Sequence, residues 1–338
     1  MKYKEENNEQ DYSKKINIGD EIRVIAPSRS MCILSNEVIE SAKRRLENIG
    51  FKVTLGKNVL NSIGEDYNCA SIEDRIEDLH EAFKDKNVKA ILTVIGGYNV
   101  NQILDYIDYD LIKENPKIIC GFSDITALTN AIYAKTGMIT YSGPHFSSFG
   151  MKKGFEYTEK YFRKMFMQSE NIEIESSDEW SNDSWFKNQE NRTFIKNEGM
   201  KIINKGEAEG RIIGGNLCTL NLLQGTEYMP DLEGTILFIE DDGLVDKTFN
   251  KEFDRDLQSL LHSAKNKNIK AIVIGRAENN CEMNDEKWEK IFKSKKELSN
   301  IPIIINANFG HTTPIFTFPI GGYAKVKANK EIKIEIKD

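Results

Sequence analysis

The sequence predicts an α/β protein in which a doubly wound parallel sheet is followed by a second, β-rich domain. Between residues 21 and 150, short apolar runs alternate with amphipathic stretches of helical period, which is the pattern of βα units. The apolar runs are continuous in Val and Ile, as in strands covered on both faces. The chain has 338 residues, so two domains of about 150 residues each are expected.

The elements of the first domain, residues 21–150, follow in regular order. IRVIAP predicts a buried strand, a helical segment follows at about 37–49, and FKVTL begins a second strand at Phe51. Ser71 opens the next helix, because Asp74 stands three residues later as in a partial capping box. The remaining predicted elements are strands in KAILTVIGG, KIICGF and MITYSGP, and a helix from Ser123 and Asp124 through Ala134.

The rest of the chain divides into three parts. Residues 1–20 are polar and form a predicted N-terminal extension. Residues 151–206 break the alternation and contain Trp180 and Trp185, so we interpret them as a linker and a substrate loop. Residues 207–338 form the predicted C-terminal domain, with strands in EAEGRIIGGN, TILFIEDDG, KAIVIG and IPIII, helices at 247–265 and 285–297, and a final hairpin in YAKVKANKEIKIEIK.

Composition excludes several classes of protein. The formal net charge is −7 with no basic patch, so a nucleic acid polymer is not an expected partner. The first twenty residues hold no apolar stretch, and no run of 18 apolar residues exists, so neither a secretory signal nor a membrane contact is predicted. The five scattered cysteines form no C-x-x-C pair, which argues against a zinc or redox motif and for reduced thiols in the cytoplasm. No metal and no organic cofactor are expected.

Ser123 is the candidate nucleophile. It follows an apolar strand at a strand-to-helix turn, which exposes a hydroxyl at the carboxyl end of a parallel sheet. The motif G-F-S-D-I resembles the nucleophile elbow G-x-S-x-G, although Ile125 replaces the second glycine. The backbone N–H of Asp124 would point to a developing oxyanion. The alternative is that Ser123 serves only as a helix N-cap.

A serine nucleophile needs a general base, and the chain has four histidines to supply it. His80 and His262 lie on predicted helices and are expected to be solvated. His145 follows a Gly-Pro turn near the Ser123 helix and stays a possible base. His311 stands in the loop NANFGHTTP after a predicted strand, which gives it the position and freedom of a general base. We therefore favour His311.

A carboxylate should orient the histidine, and Glu240 at the end of the strand ILFIE is the candidate. An acid at the end of a buried strand usually has a partner. The alternative is a turn carboxylate that caps the next helix, a role that Asp241 and Asp242 could fill as well. The order Ser, Glu, His is one that triads adopt on α/β folds.

Two glycine pairs follow predicted strands. Gly96 and Gly97 would let a substrate approach the backbone closely, and an N–H from this pair could be a second oxyanion donor. Gly214 and Gly215 precede Asn216 and a helix. Neither pair belongs to a G-x-G-x-x-G motif, and the chain contains no Walker A loop and no H-E-x-x-H motif. Nucleotide hydrolysis and zinc proteolysis are therefore not supported.

Taken together, these segments resemble the LD-carboxypeptidase family of serine peptidases. The resemblance runs from IRVIAPS to FPIGG and rests on SIEDRIEDLHEAF, AILTVIGGYN, NPKIICGFSDITAL, GGNLCTLNLLQGTEYMPDLEG, FIEDDG and NFGHTTP. It implies that Ser123, Glu240 and His311 form a catalytic triad. It also implies a flavodoxin-like first domain, a smaller and mostly β second domain, and a homodimer.

The family has two main branches. One removes the terminal D-alanine from murein tetrapeptides in the cytoplasm. The other, the microcin C immunity branch, cleaves the amide between a peptide or amino acid and a modified nucleotide. TYSGPHFSSFGM and SSDEWSNDSWFKNQENR resemble the second branch, in which a loop tryptophan stacks on adenine.

We therefore predict a serine hydrolase that acts on a peptide-nucleotide, with a murein carboxypeptidase as the alternative. A rival from another class is a nucleotide-binding protein in which the three triad residues are only structural. Gly97 and Asp124 are the expected oxyanion donors, and Gly96, Asn216, Trp180 and Trp185 are expected to contact substrate. Trp185 is favoured over Trp180 as the residue that stacks on adenine, a contact worth about 1–3 kcal/mol per base.

Overall fold

The computed structural model describes residues 14–64, 66–263 and 268–337. Residues 1–13 of the predicted extension lie outside these ranges. The end of that extension is packed against the protein: Ile16 is buried, and its N–H donates to the carbonyl of Phe166 at 2.8 Å. In the described part of the chain, no helix has the length and apolarity needed to span a membrane.

The first half of the chain forms a doubly wound parallel sheet, as predicted. Five strands pair in parallel in the order β2-β1-β3-β4-β5, which is the flavodoxin-like order. This order has its switch point between β1 and β3, at the carboxyl ends of the strands. The elements are β1 (Glu21–Ile25), α1 (Asn36–Ile49), β2 (Lys52–Leu55), α2 (Ile72–Lys84), β3 (Val88–Thr93), α3 (Tyr109–Glu114), β4 (Ile118–Gly121), α4 (Ile125–Thr136) and β5 (Thr140–Ser142).

The second half forms an eight-stranded mixed sheet. The elements of this half of the chain are α5 (Glu156–Met167), β6 (Ile172–Glu173), β7 (Glu179–Trp180), β8 (Ile195–Lys196), β9 (Lys201–Asn204), β10 (Gly206–Asn216), α6 (Leu217–Asn221), β11 (Thr235–Glu240), α7 (Phe249–Ser263), β12 (Ala271–Gly275), α8 (Asp285–Lys293), β13 (Ile303–Ala307), β14 (Phe318–Ile320), β15 (Tyr323–Ala328) and β16 (Ile332–Lys337). Of these strands, β7 and β8 pair with each other in a separate sheet, and β14 belongs to the first sheet. The strand order is β6-β16-β15-β10-β11-β12-β13-β9. The strands β10 to β13 are parallel, and β15 and β16 form the predicted hairpin.

The segment 151–206 is more structured than a linker and a loop. It contains the helix α5, whose buried residues include Tyr161, Phe162 and Phe166. It also supplies β6 and β9, the two edge strands of the second sheet. These elements were not predicted because the segment is mostly polar, and apolar residues at helical spacing occupy only a short part of it.

One strand crosses the boundary between the two predicted domains. The strand β14, from the C-terminal part of the chain, pairs antiparallel with β5 and completes the first sheet at one edge. Phe318 on this strand is fully buried, with its ring 5.1 Å from both Phe238 and Phe309. The buried apolar residues of the two sheets belong to one continuous core.

Candidate active site

Ser123 lies in a tight turn between β4 and α4. Its φ is +60°, a left-handed conformation that is uncommon for a residue with a side chain. Gly96 faces it: a Cβ at Gly96 would lie 2.8 Å from the Ser123 Cβ and 3.0 Å from its Oγ. The N-cap of α4 is Asp124 and not Ser123, so the helix-cap alternative for the serine is wrong.

His311 links Ser123 to Glu240. Its Nε2 is 3.0 Å from the Ser123 Oγ, and its Nδ1 is 2.7 Å from the Glu240 Oε2. The side chain of His311 is 20% exposed, whereas that of Glu240 is 3% exposed. The structure thus brings the three residues into one hydrogen-bonded chain that ends at the serine hydroxyl.

Glu240 is the last residue of β11, and two glycines make room for it. Gly310 has a φ of +100°, and a Cβ there would lie 2.5 Å from the Glu240 Oε2. A Cβ on Gly275 would lie 2.6 Å from the Glu240 Cβ. The carboxylate can therefore occupy its position only because both neighbours lack side chains.

The pKa of His311 is raised from its ordinary value to about 9. Burial by itself lowers this pKa, but the charge and the hydrogen bond of Glu240 outweigh it, and Asp242 and Glu278 raise it further. The imidazolium is therefore the favoured form of His311 in the resting protein at neutral pH.

His145, the other possible base, lies behind this arrangement. It is 2% exposed, and its Nδ1 is 2.9 Å from the Thr93 Oγ1. Its ring stacks on Phe122 with the centroids 4.3 Å apart. Burial lowers the pKa of His145 to about 3, so the ring is neutral. The structure places His311, and not His145, at the serine hydroxyl.

Asp124 and Gly97, the predicted oxyanion donors, flank the serine. Gly97 lines the same cavity as Ser123. The carboxylate of Asp124 faces inward and accepts hydrogen bonds from three donors, which are the Ser28 Oγ, the Asn99 N–H and the Val100 N–H. These bonds fasten the loops after β1 and β3 to the start of α4.

A cavity of about 550 Å³ opens at Ser123, and we call it the Ser123 cavity. Sequence reasoning missed most of its walls. The signal that could have found Glu278 is its place just after β12, since ligands bind at the carboxyl ends of parallel strands. The lining residues are Arg29, Gly97, Tyr98, Ser123, Asp242, Gly243, Leu244, Asp246, Glu278, Asn280 and His311.

The two candidate tryptophans lie in different places. Trp185 lines a second cavity of about 210 Å³, here called the Trp185 cavity, together with His311 and Phe122. Trp180 is 9% exposed, and the guanidinium of Arg276 lies over its ring at 4.9 Å. Only Trp185 therefore shares a cavity with the hydrogen-bonded chain.

Asn216, a predicted substrate contact, is not among the residues that line these two cavities. It is 1% exposed, and its amide nitrogen donates to the Asp241 Oδ1 at 3.0 Å. Its side-chain oxygen accepts from the N–H of Thr219 and so caps α6. Asn216 therefore holds Asp241, the residue that follows Glu240, by a hydrogen bond.

Within the described part of the chain there is one group of possible metal ligands, although no metal site was predicted. Ligand atoms of Cys218, Asp241 and Asp242 lie within 4.8 Å of one another. The first two already have a partner in Asn216, whose Oδ1 is 3.0 Å from the Cys218 Sγ and whose Nδ2 is 3.0 Å from Asp241. This group lies beside Glu240 and is separate from the serine–histidine contact.

The chain matches known proteins over most of its length. Family models described as the LD-carboxypeptidase N-terminal and C-terminal domains match residues 22–143 and 209–326. A solved MccF-like protein from Bacillus anthracis is 54% identical, with a TM-score of 0.94, and the match covers 96% of this chain and 99% of that one.

Two further relatives represent different activities. The microcin C7 self-immunity protein MccF of Escherichia coli is 32% identical, over 90% of this chain and 89% of the relative. A structure of MccF in complex with aspartyl sulfamoyl adenosine has a TM-score of 0.86 and 29% identity, and covers 97% of this chain and 98% of that one. The murein tetrapeptide carboxypeptidase of Pseudomonas aeruginosa is 26% identical, over 93% of this chain and 95% of the relative.

Proposed function

Since the chain belongs to the LD-carboxypeptidase family and is a serine carboxypeptidase-type hydrolase, we propose that it cleaves the amide between an amino acid or peptide and a modified nucleotide. The observation that carries this proposal is the chain Ser123–His311–Glu240 beside a cavity that Trp185 lines. The biological role would be self-immunity to a microcin C-type compound.

In the first half of the reaction, the Ser123 Oγ attacks the scissile carbonyl carbon while the His311 Nε2 takes its proton. Glu240 holds the Nδ1–H of His311 and stabilises the imidazolium that forms. The N–H groups of Gly97 and Asp124 would bind the oxyanion of the tetrahedral intermediate. His311 then returns the proton to the leaving nitrogen, the carbon–nitrogen bond breaks, and an acyl-enzyme remains.

In the second half, water attacks the acyl-enzyme. His311 takes one proton of this water and passes it to the Ser123 Oγ as the ester bond breaks. The products are a carboxylic acid and an amine-bearing nucleotide, and the chain returns to its starting state. Every proton in this cycle passes through the Nε2 of one imidazole.

The Trp185 cavity is the proposed site of the nucleobase. Its lining includes the indole of Trp185 and the rings of Phe122, Phe155 and His311, so a flat ring bound there would have aromatic side chains around it and lie next to the scissile bond. A murein tetrapeptide has no flat ring to fill such a site. This cavity is the reason for preferring the nucleotide over the murein substrate.

The test is a comparison of substrates and of two tryptophan variants. We expect the protein to hydrolyse an aminoacyl sulfamoyl adenosine with a higher kcat/KM than a murein tetrapeptide. Trp185→Ala should reduce kcat/KM for the adenosine substrate by about tenfold to a hundredfold, the equivalent of about 1–3 kcal/mol of stacking. Trp180→Ala is the matched control, because that indole lies under Arg276 and outside the Trp185 cavity.

Cleavage of the tetrapeptide without cleavage of the adenosine substrate would establish the murein alternative. A loss of activity with Trp180→Ala but not with Trp185→Ala would move the nucleobase to the other tryptophan. Labelling with a fluorophosphonate addresses the rival class, because a protein that only binds nucleotides would leave Ser123 unmodified.

A further inference from the structure

The Ser123 cavity carries an excess of negative charge, which bears on the amino acid that it accepts. Three carboxylates line it, those of Asp242, Asp246 and Glu278, against two cations, the guanidinium of Arg29 and the imidazolium of His311. The carboxylates lie on one wall, around Gly243: its N–H donates to the Glu278 Oε2 at 2.6 Å.

The guanidinium of Arg29 does not pair with these carboxylates. Its Nε donates to the carbonyl of Gly96 at 2.9 Å, and its Cγ packs 2.8 Å from where a Cβ of Gly97 would be. The guanidinium thus lies against the glycine pair, on the side where the oxyanion would form. The three carboxylates belong instead to the segments that follow β11 and β12.

The charge of this wall extends to the reacting residues. Asp242 and Glu278 both raise the pKa of His311, after the larger effects of burial and of Glu240. An acyl group bound at Ser123 would meet the same field. A carboxylate side chain on that acyl group would be repelled, and an ammonium group would be attracted.

Two exposed side chains with a large apolar surface line the Ser123 cavity, beside the exposed polar residues Asp246 and Asn280. Tyr98 is 72% exposed and Leu244 is 68% exposed, and both line the cavity that contains the nucleophile. Removal of apolar side chains on a cavity rim from water is favourable, so it stabilises a complex with a ligand that covers them. A bound side chain of apolar character would cover them.

From this charge and this rim we infer that the acyl residue held at Ser123 has a free α-ammonium group, which faces Glu278, and an uncharged, apolar side chain, which contacts Tyr98 and Leu244. This inference rests on the proposed function and names its substrate class. It also separates this chain from a hydrolase selective for acidic residues.

The experiment compares three substrates that differ only in the acyl group, namely leucyl, N-acetyl-leucyl and aspartyl sulfamoyl adenosine. We expect kcat/KM for the leucyl compound to exceed that for the aspartyl compound by at least about tenfold, in the range that apolar pockets discriminate. N-acetylation of the leucyl compound should reduce kcat/KM by about the same factor. Equal or better cleavage of the aspartyl compound would overturn the inference while the proposed function stands, and cleavage of none of the three would refute the proposed function itself.

Variants of the two walls make the test specific. Leu244→Ala should reduce the preference for leucyl over aspartyl, whereas Leu222→Ala should not, because Leu222 is 63% exposed but outside the Ser123 cavity. Glu278→Gln should reduce kcat/KM for the leucyl compound but not for its N-acetyl form, measured at about pH 7, where the α-amine is charged. Both substrates depend on the same imidazole, so the N-acetyl compound controls for any effect of the variant on His311. Equal effects of Leu244→Ala and Leu222→Ala, or a change in oligomeric state with Leu244→Ala alone, would overturn the role of the rim.

Discussion

At the scale of single residues, the proposed chemistry depends on one serine held in an uncommon conformation. Ser123 at a φ of +60° is stable only because the surrounding structure fixes the turn, and Gly96 leaves space for it. Its hydroxyl is thereby directed away from α4 and toward His311. A strained residue in this position supports a catalytic role better than a capping role.

The first prediction concerns the triad. Ser123→Ala and His311→Ala should each reduce kcat by about four to six orders of magnitude, because members of a triad act as a unit. Glu240→Gln should also be severely impaired, since it leaves an imidazolium without its partner. Steady-state rates on the preferred substrate provide the measurement, and His145→Gln serves as the control with a change of less than about tenfold. Activity that survives His311→Ala but not His145→Ala would reverse the assignment of the base.

The second prediction concerns pH. The neutral form of His311 is the base, and its pKa is raised to about 9, so kcat/KM should rise with pH and reach half of its plateau near 9. Glu240→Gln removes the largest of the effects that raise the pKa of His311. The residual kcat/KM of this variant should therefore rise at lower pH than that of the wild type. A profile of kcat/KM against pH for both proteins is the measurement. An identical limb in the two would show that another group titrates.

The same pKa also affects stability. A folded pKa above the ordinary 6.5 means that His311 stabilises the fold fully below about 6.5 and loses this contribution as pH rises through about 9. The free energy of unfolding in urea should therefore fall over this range more in the wild type than in Glu240→Gln. Parallel curves for the two proteins would contradict the coupling of His311 to Glu240.

At the scale of elements, the loops after the parallel strands hold the site together. The loop after β13 carries both His311 and Gly310, and the latter touches Glu240 at the end of β11. Gly310→Ala should reduce kcat by about a hundredfold, because its new methyl group would displace the carboxylate. Gly225→Ala is the control: its φ is +78°, with no atom within 4 Å, so it adds backbone strain alone. Equal activity in the two variants would mean that Glu240 tolerates displacement.

Much of this element structure could be predicted. The five parallel strands and the helices between them followed from apolar runs and helical periods, and Ser123, Glu240 and His311 were each singled out at a strand end. The helix α5 was missed because its first turn has no side-chain cap and lies in a polar segment. The capping role of Asn216 was not predicted, since a strand, two glycines and an asparagine suit a cavity wall as well as a helix cap, and its contact with substrate stays a prediction.

The strand β14 shows why local patterns cannot give everything. It has three residues, one of them Pro319, and its partner β5 lies far away in the sequence. No periodicity can be measured over so short a run. The walls of the Ser123 cavity were also not predicted, because they come from loops of both halves of the chain and loops have no periodic pattern.

At the scale of the whole molecule, the shared core predicts cooperative unfolding. The three tryptophans all lie in the second half of the chain, so their fluorescence reports on that half. Amide hydrogen exchange in β1, β3 and β4 reports on the first. Both signals should change in one transition in urea, and Phe318→Ala should shift both together by about 3–5 kcal/mol, because its ring fills the core between the sheets. Two separate transitions would contradict a common core.

The homodimer that the family resemblance implies stays a prediction at this scale. Sedimentation equilibrium of the wild type should give twice the mass of the chain, which is 38.6 kDa. A monomer that retains full activity would show that each copy is complete in itself.

The strand β14 also sets an order of events during synthesis. His311 follows Ser123 by 188 residues, and β14 follows later still. At about 5–20 residues per second, the ribosome translates Ser123 roughly 10 to 40 s before His311. Throughout that interval the first sheet lacks one edge strand, and Ser123 has neither its proton acceptor nor its finished cavity. Under the proposed mechanism, a nascent chain of this protein cannot hydrolyse its substrate before the loop that carries His311 has been translated.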